Sequence, residues 1–298
     1  MYTEEEFIIA VFCVVVDEAT PLLESKLRSR GFGPRLSDAE VLTIEIVGEF
    51  LGYTTDTAIW TYFRRHYRAL FPALGSRTTF ARQAANLWAV KQLLHARLVR
   101  RLGAHEMDLF VVDGLPMPVC AFCRAPRVRR FRGEAAFGYC RSKKQRYFGF
   151  KGEVLITASG LIVAATAIAA NADERDGVWE LSEGLQGLLV GDKGFIGQAL
   201  AAQLAAERGL RLETTGVRKT MTETRDPARL RQLGRVRKMV ETVIGQLAER
   251  FHIERVHARD RWHLTSRIAR KILSHTVAVY LCRQAGDASL RFERLIAA

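Results

Sequence analysis

The apolar residues of this chain change their period at Asp108, and that change decides the fold class. Before it they recur at helical spacing. Ser37-Asp38-Ala39-Glu40 reads as a capping box, in which Ser and Glu side chains satisfy each other's orphan amides, and Val41, Leu42, Ile44 and Val47 follow as an apolar stripe. A helix is therefore expected from about Asp38, ended by Gly52, with a second over about 57–70 that Phe71-Pro72 breaks. Ser76 is expected to cap one long helix in which Phe80, Ala84, Leu87, Val90, Leu94 and Leu98 form the buried stripe. After Asp108 come short runs of strand character: 109–112 ending in Asp113, 147–157 and 161–168 joined at Ala158-Ser159-Gly160 as a hairpin, 188–190 ending at Gly191-Asp192, and 210–214. Helical patterns at about 178–185, 198–208, 235–250 and 263–285 alternate with them. The order predicts an α/β fold, a mixed sheet flanked by helices, over 106–298, preceded by a helical region over 1–105.

Charge narrows the partners. The chain has 45 Lys and Arg against 32 Asp and Glu, a formal charge of +13 in 298 residues, which favours a polyanion through counterion release. From Cys120 through Lys151 ten Arg and Lys residues, Lys151 included, face one acid, Glu134, so the stretch 120–147 reads as a basic insertion loop; a solvated face is the plainer alternative. The apolar stretch 7–16 is short and follows Glu4, Glu5 and Glu6, where an export signal carries positive charge, and no apolar run spans a bilayer. A soluble protein of the cytoplasm or nucleoid, with no membrane partner, is expected. Cys13, Cys120, Cys123, Cys140 and Cys282 form an odd set, expected as reduced thiols; Cys120-x-x-Cys123 with Cys140 lacks the second pair of a structural zinc site.

Three acidic residues stand where phosphoryl-transfer chemistry needs them. Hard divalent ions take carboxylate oxygens that converge from different elements. Asp113 and Asp192 each follow a short apolar run, so adjacent parallel strands would bring them together at one sheet edge; each alone also reads as a loop or cap residue. Glu241 lies at the margin of the stripe Val236, Met239, Val240, Val243, Ile244 and Leu247, with Arg237 four residues earlier on the same side; a surface ion pair is the plain reading. Asp173, Glu174 and Asp176 form a rival cluster, read as charges at a helix N-terminus, with Asp173 as the substitute ligand.

Four blocks carry a family resemblance. Val112-Asp113-Gly114-Leu115-Pro116, Phe148-Gly149-Phe150-Lys151, Gly191-Asp192-Lys193-Gly194-Phe195 and Arg237-x-x-x-Glu241-Thr242-x-x-x-Gln246-Leu247 resemble, in order, the catalytic blocks of bacterial DDE insertion-sequence transposases, nearest to the insertion-sequence family nine-eighty-two. The resemblance extends to 37–51 and 80–88. It implies a ribonuclease-H-like core with Asp113, Asp192 and Glu241 as catalytic, metal-binding triad, and makes Arg237 the Arg that related enzymes place four residues before the Glu. Two positions depart from it: Gly234 stands where related groups have Tyr, and Ala248 where they have Lys.

The reaction so implied uses two Mg²⁺ ions, with Mn²⁺ as substitute and no small-molecule cofactor. It cuts phosphodiesters at the element ends and joins the freed 3′-OH to target DNA by in-line attack. Lys143, Lys144, Lys151, Lys193, Arg218, Lys219 and Arg237 are expected to contact DNA. In the helical region Arg64, Arg65, Arg77, Arg82 and Lys91 are expected on the backbone of double-stranded DNA. A homodimer is expected, because two ends must be joined. The alternatives are a metal-dependent nuclease without strand transfer and a catalytically silent DNA-binding relative.

Overall fold

The computed structural model of the chain describes residues 1–23, 33–217, 221–287 and 290–296. Its helices and strands are, in order, α1 (Glu4–Leu23), α2 (Asp38–Phe50), α3 (Asp56–His66), α4 (Arg77–Asn86), α5 (Trp88–Arg101), β1 (Leu109–Pro118), β2 (Ala136–Cys140), β3 (Gln145–Thr157), β4 (Ile162–Ala169), α6 (Glu174–Leu181), β5 (Gly187–Gly191), α7 (Gln198–Arg208), β6 (Leu210–Thr214), α8 (Pro227–Glu249) and α9 (Arg261–Gln284). They form two compact units, Met1–Leu102 with Leu247–Ala298, and Gly103–Gln246. Among the described residues no helix is long and apolar enough to cross a membrane.

In the helical unit the expected capping box is present: Ser37 Oγ accepts from the Glu40 amide at 3.1 Å and Glu40 Oε2 from the Ser37 amide at 2.7 Å. The single long helix expected after Ser76 is two, because α4 ends at Asn86 and α5 begins at Trp88. The carbonyls that a continuous helix would pair with amides four residues on are taken by side chains. Lys91 Nζ and Ser266 Oγ donate to the Ala84 carbonyl at 2.9 and 3.2 Å, and Trp262 Nε1 to that of Ala85 at 3.0 Å.

The sequence pattern joins 247–298 to the sheet, whereas in the structure this segment groups with the N-terminal helices. Charge pairing inside the core accounts for it. Arg270 and Lys271 of α9 are 1% and 0% exposed and bond to Glu49 of α2 at 2.6 and 2.7 Å, and Arg270 also reaches Glu45 at 3.1 Å. Lys91 of α5 completes the set with Glu45 at 2.8 Å. A buried charge is tolerable only when paired, so α2, α5 and α9 must stay together. Lys91 is thus removed from the residues expected on DNA, since it is 1% exposed.

The other unit is an α/β layer. β1 runs parallel to β5, β5 parallel to β6, and β1 antiparallel to β3, giving the order β2-β3-β1-β5-β6 with β4 also on β3. Phe110, Val112, Leu155 and Leu189 from the sheet pack with Val178 and Leu181 of α6 and Leu204 of α7 in one apolar core. α8 is tied to the sheet by Arg229, bonded to Glu213 of β6 at 3.0 and 3.1 Å, and by Arg237, bonded to Asp113 of β1 at 2.9 Å.

The stretch 120–147 is not all loop: Ala136–Cys140 forms β2, paired with Gln145–Gly149 of β3. Phe131, within the same stretch, is 4% exposed and meets Phe150 edge-on.

Candidate active site

β1 continues past Asp113, where the sequence pattern ends it. Its parallel pairing with β5 stops at Val111–Val190, while pairing with β3 runs on to Pro118–Gly149. Val119 donates its amide to the Phe148 carbonyl of β3. By the alternation of an antiparallel ladder, the amides of 114, 116 and 118 point the other way, toward the edge that β5 no longer covers. Pro116 and Pro118 have no amide to leave unpaired there, which is why β1 tolerates them. The Gly114 amide is satisfied by Asp113 itself, whose Oδ1 accepts at 2.8 Å. Asp113 therefore stands beyond the parallel part of the sheet although it lies inside a strand.

Asp192 follows β5 directly and accepts the Gly194 amide on Oδ1 at 2.6 Å. Its charge is near enough to oppose ionisation of Asp113. Burial is the larger cause of that opposition and pushes the Asp113 carboxyl above the usual carboxylate range, while the Arg237 guanidinium and the Gly114 amide pull it down. Glu241, more than half exposed on α8, accepts from Arg237 at 3.0 Å, and the same guanidinium donates to Asp113 Oδ2 at 2.9 Å. One cation thus joins carboxylates from a strand and a helix. The surface ion pair read for Glu241 is present, and its arginine also reaches Asp113.

The donor set suits a hard divalent ion, being oxygen only. Arg237 holds the position between two of the three carboxylates, and among the described residues no three His, Cys, Asp or Glu side chains are grouped to hold a metal ion. The carboxylates fit such an ion in kind, with Arg237 bonded to two of them. The five cysteines are free thiols.

The basic residues expected on DNA are dispersed. Lys143 and Lys144 are exposed on the β2–β3 turn, Lys144 in the left-handed region at φ 48°. Lys193 is exposed beside Asp192, its stem against Gly216. Lys151 is mostly buried: its ammonium donates to the Ala172 carbonyl at 2.9 Å and lies 3.5 Å from Glu174. Arg218 and Lys219 lie outside the described residues.

Asp173 caps α6 and is held by Arg175, which keeps its carboxyl down at about 2. Glu174 has a second neighbour, because its carboxyl and that of Asp192 both crowd the α-carbon of Gly194. The sequence reading passes over Glu153. It is 0% exposed on β3, beneath Gly177 of α6, and neither carboxyl oxygen has a hydrogen-bond partner. Burial raises it to about 8; Lys151 lowers it, and Glu174, Asp176 and Asp173 add to the rise. The available signal was a lone carboxylate in the apolar run 152–157.

A family model described as a transposase DDE domain matches residues 103–263, more than half of the chain. No curated protein and no solved structure matches it. The matched segment contains β1, β5 and α8, and with them Asp113, Asp192 and Glu241. Its mixed sheet, flanked by helices and preceded by a helical region, is the ribonuclease-H-like core of that domain. The chain belongs to the DDE-domain transposases.

Proposed function

We propose that the chain is the transposase of an insertion sequence, nearest to family nine-eighty-two, and that it cuts phosphodiesters at the element ends and joins the 3′-OH to target DNA. The observation that carries this reading is the meeting of Asp113 and Glu241 on Arg237 with Asp192 beside them, inside the matched domain. Asp113, Asp192 and Glu241 would hold Mg²⁺, or Mn²⁺ in its place, as a pair of ions. Bound there, the metal supplies Lewis-acid activation of the nucleophile and stabilisation of the leaving 3′ oxygen.

The chain's own residues do the rest. Arg237 neutralises two carboxylates and, once released from them, is placed to hold a phosphate next to the reacting one. Lys143 and Lys144 at the β2–β3 turn, with Lys193, Arg218 and Lys219, track the DNA backbone. Retaining the cut end keeps its 3′-OH at high effective concentration, which lets joining outrun hydrolysis. Two chains acting as a homodimer on double-stranded DNA hold the two ends. The helical unit, 1–102 with 247–298, serves docking and the 103–246 unit catalysis, with the protein working at the nucleoid in the cytoplasm.

The silent DNA-binding relative is favoured by one observation, the neutralisation of two carboxylates by Arg237. Cleavage of a duplex carrying the element end separates the readings. Asp113→Asn, Asp192→Asn and Glu241→Gln are each expected to lower Mn²⁺-supported cleavage at least about a hundredfold with DNA binding retained. Wild-type rates in any of them would remove that residue from the site, and no cleavage by the wild-type chain would favour the silent relative.

A further inference from the structure

Three helices of the helical unit begin at one groove. Thr55, Ser76 and Asp260 are the N-caps of α3, α4 and α9, and each side chain accepts from the third amide of its helix. Residues from all three first turns line the same concavity of about 700 Å³: Asp56 and Thr57, Arg77 and Thr78, Trp262 and His263. A cap satisfies one orphan amide and leaves the first two helical amides without an intrahelical acceptor, so the positive ends of three backbone dipoles face one volume.

The side chains carry the same sign. Arg77, Arg82, Arg259 and Arg267 line the groove together with Asp56 and Asp260. Neither acid reaches Arg77, Arg82 or Arg259. Asp56 is bonded to Arg267 at 2.5 Å and to Arg270 at 2.7 Å, which hold its carboxyl far below the usual range, and Asp260 is bonded to the amide and ring of His263 at 2.9 and 2.8 Å. Arg82 and Arg259 are exposed and have no hydrogen-bond or ion-pair partner among the described residues.

The walls are fixed. Trp262 is 50% exposed, yet its indole N–H is held by the Ala85 carbonyl, and Arg267 donates to the Val256 and His257 carbonyls at 3.3 and 2.8 Å. A rigid basic groove drawn from three elements suits a row of phosphates better than one small anion, which a single closed nest of amides would hold.

We infer that this groove grips the sugar–phosphate backbone of duplex DNA, as a contact additional to the carboxylate site. Arg82 and Arg259 supply the ion pairs, the α3, α4 and α9 N-termini supply amide donors, and Trp262 forms a wall against the sugar edge. The assignment of DNA as occupant rests on the transposase reading; the groove's charge and shape do not.

The test compares the full-length wild type with Arg82→Ala/Arg259→Ala, using fluorescence anisotropy of a labelled duplex over a series of salt concentrations. The double variant is expected to melt like the wild type, to bind at least about tenfold more weakly, and to show a plot of log affinity against log salt that is shallower by about 2. Arg82→Lys/Arg259→Lys should restore the slope. Duplex addition should quench tryptophan emission in the wild type and much less in Trp262→Phe. An unchanged slope in the double alanine variant, with the wild type binding duplex DNA, overturns the groove and leaves the transposase reading standing, whereas a wild-type chain with no affinity for duplex DNA contradicts both.

Discussion

Glu153 is a carboxyl held far above the range its residue type leads one to expect. It is buried without a partner, and its carboxyl is raised from 4.5 to about 8. The folded protein therefore keeps a proton that the unfolded chain releases near 4.5, so the stability contributed by this group is full below 4.5 and declines as pH rises through about 8. Glu153→Gln keeps the shape and removes the titration. Thermal melts across that window are expected to fall with pH in the wild type and to be flatter in the variant, which should be the more stable of the two at the alkaline end. Equal slopes would mean that Glu153 does not titrate there. Glu174, Asp176 and Asp173 contribute to the rise, because each adds negative charge around the same carboxyl. That Asp173, Glu174 and Asp176 sit at a helix N-terminus was legible from sequence; that Glu174 also crowds Gly194 beside Asp192 was not, because the two residues meet only through the packing of α6 on the sheet.

Among elements, those set by neighbouring residues were the ones a sequence could reveal. The Ser37–Glu40 box and the α7 limits depend on a few adjacent side chains, and they were readable for that reason. The break at Leu87 was not, since it depends on Ser266 and Trp262 of α9 reaching the Ala84 and Ala85 carbonyls. The length of β1 was hidden for a similar reason: Gly114, Pro116 and Pro118 look like a turn until β3 is alongside. The buried charges of α2, α5 and α9 give this scale its prediction. Lys91→Met keeps the volume and strips the ammonium from Glu45, Ser266 and the Ala84 carbonyl. It is expected to cost about 3 kcal/mol, read as a lower urea midpoint at constant slope. A neutral result would mean that the network fixes which helices pair without adding stability.

For the whole molecule, the charge of +13 and the four ordered blocks pointed to DNA and to a DDE enzyme, and all four blocks fall inside the matched 103–263. Their legibility has a physical basis: residues that meet at one sheet edge must stand at fixed places relative to strand ends, which leaves a pattern along the chain. The grouping of 247–298 with the N-terminal helices left none, because it rests on ion pairs between residues more than 200 positions apart, such as Arg270 and Glu49. The central claim is that Asp113, Asp192 and Glu241 form one phosphoryl-transfer site that joins DNA as well as cutting it. Its most direct test is the incubation of full-length protein and Mn²⁺ with a pre-cut element end and a supercoiled plasmid. The wild type is expected to give plasmid covalently joined to the labelled 3′ end, and Asp113→Asn none above background. Nicked plasmid without joined product in the wild type, or joining by Asp113→Asn at the wild-type rate, would contradict the account.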